Sequence, residues 1–271
     1  MTAPLLPNDR AGSGGLPVLL LPGITGHRRW MSPLAAALSP RHPTCAVTLP
    51  GETEAPGLGP DPRDAPFAEI GDRLAATLES CRLPRAVVLG TSFGGVAALE
   101  FARRHPDRVA ALVLHATTGR PAALLAPWSR LLPYGGLAVC ILNVRLLAGL
   151  ALEAVAAARA GPQARSQLFQ AGRLRLTTPM SVRAVAARLR RLASATDLEA
   201  ALPGLRVPTL VLTPEPYLDL LIPAAEGVWL ASRLPDAEHV RLPATGHLGA
   251  LIRPDLVAGA LAAFLARRGL A

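Results

Sequence analysis

The chain contains no lysine: all 28 of its basic residues are arginine. With so much Ala, Pro and Gly beside it, that imbalance reads as the coding bias of a GC-rich bacterium. It excludes no function by itself. Aromatic residues make up only 4%. The core must therefore be built from Leu, Val and Ala, and there is little to stack nucleic-acid bases on. The three cysteines, Cys45, Cys81 and Cys140, are odd in number and far apart in sequence. They match neither a metal-ligand spacing nor a disulfide framework, and read as small core residues of a reducing compartment. Residues 1–15 contain Pro4, Pro7, Asp9 and Arg10 and no apolar core, so no signal peptide is expected. The most apolar stretch, residues 131–144, carries no charge, is interrupted by Pro133 and Gly135-Gly136 and is ended by Arg145. It falls short of the ~18–20 apolar residues of a spanning helix. The expectation is a cytoplasmic protein without a transmembrane segment.

What is present is a net charge of +9, unevenly distributed. Between Thr118 and Thr196 there are 11 arginines and one acid, Glu153, a net +10, while the remainder balances to −1. No nucleic-acid motif accompanies the basic segment, so a nucleic-acid partner is not expected. Such a surface can draw in an anionic substrate or an acidic carrier; a solvated helix face without a partner reads equally well.

The 271 residues suffice for one ordinary α/β domain with an insertion. Strand signals at residues 18–21, 45–49, 86–89, 109–114, 209–212 and 240–242 alternate with helix signals at 31–38, 67–81, 96–104, 224–233 and 248–267. That alternation predicts a mostly parallel, doubly wound sheet with helices on both faces. It stops between residues 118 and 196, where only helical runs appear. One of them, residues 180–192, follows Thr178-Pro179 as N-cap and first-turn proline. Its apolar stripe is Val182, Val185, Leu189 and Leu192, with Arg183, Arg188, Arg190 and Arg191 mostly off it. The Pro/Gly-rich loop 50–66 reads as a mobile border of the site.

Gly90-Thr91-Ser92-Phe93-Gly94 stands between a strand signal and a helix signal. A G-x-S-x-G turn in that context is a nucleophile elbow, which lifts a serine hydroxyl off the sheet edge. A base and an acid should then stand at the same edge, where α/β sheets bind ligands. His247, behind Gly246 and before the last helix, is the best-placed base. His105 reads as structural at a helix end, and His42 and His239 as surface positions. His27 and His115 follow a turn or strand at the same edge and are candidate pocket-lining residues. After the strand signal 209–212 come Glu215 and Asp219; Asp219, shortly before Pro223, is preferred, with Glu215 as rival. Either could orient an imidazole. The turn Pro22-Gly23-Ile24-Thr25-Gly26 can offer a backbone N–H towards the elbow.

Taken together, these residues resemble the α/β-hydrolase family, from about residue 16 to the C-terminus. The order Ser92, Asp219, His247 is that family's order. The resemblance implies Ser92 as nucleophile, His247 as base, Asp219 as acid, and the N–H groups of Ile24 and Phe93 as oxyanion hole, with no metal or organic cofactor. It implies a core of residues 1–117 and 197–271 and an all-helical cap, 118–196, whose run 137–152 could line a greasy pocket. Pro22-Gly23 replaces the common His-Gly, the turn 213–219 is long and carries two prolines, and the family's N-terminal hairpin looks missing or shortened. The expected activity is serine hydrolysis of a carboxylic ester or thioester with an apolar acyl part. Alternatives are acyl transfer or thioester hydrolysis on carrier- or CoA-bound chains, and a non-catalytic small-molecule-binding protein.

Overall fold

The structure, a computed structural model, describes residues 5–52, 54–55, 67–125, 135–178 and 181–271. Seven strands, β1 (Asn8–Ala11), β2 (Val18–Leu21), β3 (Thr44–Val47), β4 (Ala86–Thr91), β5 (Val109–His115), β6 (Thr209–Thr213) and β7 (Ala237–Arg241), form one sheet. Their order is β1-β3-β2-β4-β5-β6-β7, and every pairing except β1 with β3 is parallel. The six strands expected from the sequence are present, with β7 starting three residues early. The seventh, β1, pairs antiparallel with β3 from Asn8↔Val47 to Ala11↔Thr44. Its polar residues carry no strand signal, because an edge strand outside the core needs none.

The central strands β2 to β6 are buried along their full length. Alternate side chains supply two cores, as the two-residue period of a strand requires. Ala86 and Val88 pack towards α2 (Ala68–Ser80) and α3 (Phe93–Arg104), whereas Val87 and Leu89 pack towards α1 (Ser32–Leu38) and α11 (Pro254–Arg267). Each fully buried Leu or Val contributes roughly 1.5–3 kcal/mol, which is how a core nearly free of aromatics holds a sheet. The chain leaves β2 towards one edge and β4 towards the other, so the turns after these strands open a crevice at the switch point.

The last helical segment differs from the sequence expectation. It is divided into α10 (Gly249–Ile252) and α11, because Arg253, at φ −129°, ψ 55°, precedes Pro254, and a residue before proline avoids the helical region.

Between β5 and β6 the described residues form helices alone: α4 (Pro121–Leu125), α5 (Gly135–Ala160), α6 (Pro162–Thr177), α7 (Val182–Ser194) and the short α8 (Leu198–Ala201). α4 to α7 make an inserted helical cap, while α8 packs on the core through Leu198. The expected cap on Thr178-Pro179 is replaced: Ser181 accepts the Ala184 N–H at 3.1 Å and starts α7. Pro179 and Met180 lie outside the described residues, as do residues 56–66 of the Pro/Gly-rich loop and 131–134 of the apolar run. That run does not end at Arg145. The Arg145 guanidinium turns to the Leu220 carbonyl, and α5 continues through it. Residues Gly136–Arg159, with mean hydropathy 1.9, are long and apolar enough to cross a membrane by length and composition. Cys140 is exposed on this helix, contrary to its reading as core, and Val182 is exposed on α7. Cys45 and Cys81, distant in sequence, are buried neighbours in contact, and burial pushes the Cys45 thiol up to about 12.

α9 (Ala224–Arg233) packs on the β6–β7 side of the sheet.

Candidate active site

At the end of β4 the chain turns through Ser92 (φ 53°, ψ −119°) straight into α3. A non-glycine residue in that region is strained, and the surroundings must hold it there. Ser92 N–H donates to the His115 carbonyl at 2.9 Å, and the Thr117 hydroxyl donates to the Ser92 carbonyl at 2.7 Å. Both flanking glycines are sterically required. A Cβ on Gly90 would stand 2.2 Å from the Gly94 carbonyl oxygen, and one on Gly94 would stand 2.3 Å from that of Leu21.

The turn after β2 closes with Gly26 N–H donating to the Gly23 carbonyl at 2.9 Å, and Gly26 adopts φ +80°. Gly23 lies beside the elbow; a Cβ there would be 3.6 Å from Ser92 Cβ. The outer side of the turn is gripped by the cap. Arg188 of α7 donates to the Ile24 carbonyl (2.8 Å), the Pro50 carbonyl (2.8 Å) and Glu52 Oε1 (2.9 Å), and both partners of the ion pair are buried. Burial lowers the Arg188 pKa, with Glu52 opposing. Arg188 and Arg191 are therefore not part of a solvated basic face. The periodicity of α7 missed this because the helix is wedged between cap and core and buries more than its apolar stripe.

His247 and Asp219 meet. His247 Nδ1 lies 3.1 and 3.0 Å from the two Asp219 carboxyl oxygens, and Asp219 Oδ1 also accepts the N–H groups of Leu221 (2.8 Å) and Ile222 (2.9 Å). Burial would push the Asp219 carboxyl up; the His247 ring and these N–H donors outweigh it and leave it below the usual range. Burial pulls His247 down, but Asp219 and Glu153 hold it above the ordinary histidine value. Glu215 does something else: its main-chain N–H donates to the Thr245 carbonyl at 2.9 Å, tying the turn after β6 to the His247 loop.

Ser92, His247, Asp219, Ile24 and Phe93 all border one cavity of about 440 Å³. The cap closes it with Leu125, Leu142, Leu146, Val185 and Leu189. Only part of residues 137–152 takes this role, for Leu137, Val144, Leu147 and Leu152 point outward. His27 and His115 do not border the cavity. His27 is buried and accepts the Arg29 N–H at 3.1 Å, capping a short 3-10 turn. His115 is fully buried, and neither ring nitrogen has a hydrogen-bond partner among the described residues. Burial and the nearby His247 push its pKa down to about 4, so it stays neutral at neutral pH. His42 is buried too, its Nδ1 3.0 Å from the Leu16 carbonyl, rather than a surface group.

Two groups that the sequence reading did not place are Arg188 and Glu153, whose carboxyl accepts the Leu248 N–H at 2.8 Å. A signal for the second existed: it is the one acid between Thr118 and Thr196.

A family model described as alpha/beta hydrolase fold matches residues 17–254. A pimeloyl-[acyl-carrier protein] methyl ester esterase of Aromatoleum aromaticum is 34% identical, over 82% of this chain and 85% of the relative. A protein of the same description from Chromobacterium violaceum is 30% identical, over 86% and 87%. Among solved structures, a thermophilic esterase from Thermogutta terrifontis superposes with a TM-score of 0.73 at 24% identity, covering 98% of this chain and 94% of that one.

Proposed function

The chain belongs to the α/β-hydrolase family and is a hydrolase, and from that premise we propose that it cleaves a carboxylic ester with an apolar acyl part, using Ser92, His247 and Asp219. His247 Nδ1–H is held by Asp219, which leaves Nε2 to take the Ser92 proton. The Ser92 oxygen attacks the ester carbonyl. The oxyanion that forms is held by the N–H groups of Ile24 and Phe93, each such donor worth about 2.7–4 kcal/mol. The alcohol leaves with the proton from His247, and an acyl group remains on Ser92. Water, giving its proton to His247, then releases the acid and restores the serine.

The observation that carries this reading is the His247–Asp219 contact at 3.0 Å beside a cavity that Ser92 also borders. The apolar cap residues over that cavity favour an apolar acyl part. We assign residues 1–117 and 197–271 to the core and 118–196 to the cap, because the described residues of that insertion are helical and cover the cavity.

A second reading concerns the carrier. The two relatives named above act, by their descriptions, on a methyl ester carried by an acyl-carrier protein. Arg159, Arg165, Arg173 and Arg183 are exposed on the cap, and an acidic carrier would dock there.

A fluorophosphonate probe tests the chemistry. The parent protein becomes labelled and Ser92→Ala does not; a folded parent protein that resists labelling refutes the reading. Esters of graded chain length then measure the acyl preference. For the carrier reading, Arg165→Glu with Arg173→Glu raises KM for a carrier-bound ester and leaves a small neutral ester unchanged; equal effects on both would refute docking.

A further inference from the structure

Glu153, the one acid of α5, is buried, and no arginine is among the groups that perturb it. Its Oε1 accepts the Leu248 N–H at 2.8 Å, and the Gly246 backbone lies against the same carboxyl. These two contacts flank His247. The fit is close: a Cβ on Gly246 would stand 2.5 Å from the Glu153 carboxyl carbon and 2.5 Å from the Leu218 carbonyl oxygen. Leu218 immediately precedes Asp219. One cap carboxyl thus fills the point where the His247 loop and the Asp219 turn meet, and glycine at 246 is what lets it enter.

We propose that Glu153 is a positioning residue for His247, a carboxylate delivered by the cap that fixes the 246–248 backbone from behind and adds a second negative charge beside the imidazolium formed during catalysis. This rests on the reading of His247 as base. A carboxylate that accepts the N–H on one side of His247 and packs against the glycine on the other resists rotation of the segment between them, so the base is in register when α5 is seated. The charged and titratable groups facing Glu153 are His247 and Asp219. The neighbouring contacts of α5 with α6 and α10 run through apolar Ala157, Ala164, Leu251 and Ile252. Burial raises the Glu153 carboxyl to about 7, against the pull of the neighbouring backbone and His247. Its charge therefore changes near neutrality, and the loss of that charge lowers the His247 pKa.

The test is Glu153→Gln in the full chain, read as the pH profile of kcat/KM on a neutral ester. The substitution keeps the size and one acceptor and removes the charge. The acid limb, which reports the free enzyme's base, moves to lower pH by about half a unit, and kcat falls about tenfold with KM little changed. An unmoved limb with parental kcat overturns the proposal. His247→Ala separates the premise: if it is inactive while Glu153→Gln is parental, the base stands and the positioning role falls. If Glu153→Gln does not fold, NMR titration of the wild-type carboxyl carbon decides. A titration near neutrality, mirrored at the His247 ring, supports the proposal, and an ordinary glutamate titration with no response at His247 contradicts it.

Discussion

The cap reaches the floor of the cavity through two buried charges, and they are held in opposite ways. At one joint Arg188 meets its counter-ion Glu52 and three carbonyls, and so grips the turn that carries Ile24. At the other, Glu153 meets the Leu248 N–H, the Gly246 backbone and, among the described residues, no arginine, and so grips the loop that carries His247. The Arg188 guanidinium, beside its counter-ion and three carbonyls, keeps its charge over the working pH range, although its Nε has no partner among the described residues. A lone buried carboxyl is pushed towards neutrality. The first joint is a fixed clamp; the second responds to pH. Both bind the cap to the catalytic edge, which ties closure of the pocket to assembly of the groups beneath it.

The comparison breaks most severely at the residue the second joint serves. Asp219→Asn should cost about 10⁴ in kcat, because the imidazole loses its tautomer and orientation, while Glu215→Gln stays near the parental rate in the same ester assay. The reverse result would move the acid to Glu215. Next comes the clamp. Arg188→Met leaves Glu52 buried and unpaired and should lower stability by about 3–5 kcal/mol, whereas Arg188→Met with Glu52→Gln recovers much of it. Chemical denaturation measures both, and equal losses in single and double variants would show that the pair is not the source.

The smallest effect is the pH slope. Glu153 has a folded pKa near 7 against an ordinary 4.5, so the folded state binds the extra proton and its stability falls as pH rises between those values, by at most about 3 kcal/mol. His247, also raised, contributes stability that is complete below its unfolded value of 6.5 and lost as pH rises through its folded pKa. Asp219, depressed, acts at the acid end, where stability is lost as pH falls below 3.8 and through its folded pKa. Melting curves of Glu153→Gln against the parent should therefore converge or cross between pH 4.5 and 7, while Arg188→Met with Glu52→Gln, which leaves no titrating side chain at that joint, keeps a constant offset. A constant offset at both joints would erase the distinction.

The elbow was legible in the sequence because its glycines are demanded by backbone atoms four or five residues away or at the end of the neighbouring strand β2, and such demands leave a fixed spacing. The parallel strands were legible because burial on both faces makes them continuous apolar runs. The polar edge strand β1 was not, since neither periodicity nor composition marks it. The choice between Asp219 and Glu215 stayed open because the turn between them and β6 has no regular period, and spatial distance to His247 is not written in sequence. Arg188 looked solvated for a related reason: an arginine off an apolar stripe meets water only if nothing covers that side, and here residues 24 and 49–52 do. Glu153 was visible as a lone acid in a basic segment, but its target lies on a loop almost a hundred residues away.

The central claim is that an acyl group passes through Ser92. The direct measurement is rapid acid quenching of ester turnover followed by peptide mapping by mass spectrometry. The account predicts the acyl mass on the peptide containing Ser92 in the parent protein, with neither adduct nor turnover in Ser92→Ala. Turnover that survives in Ser92→Ala, or an acyl group found on another residue, would contradict it.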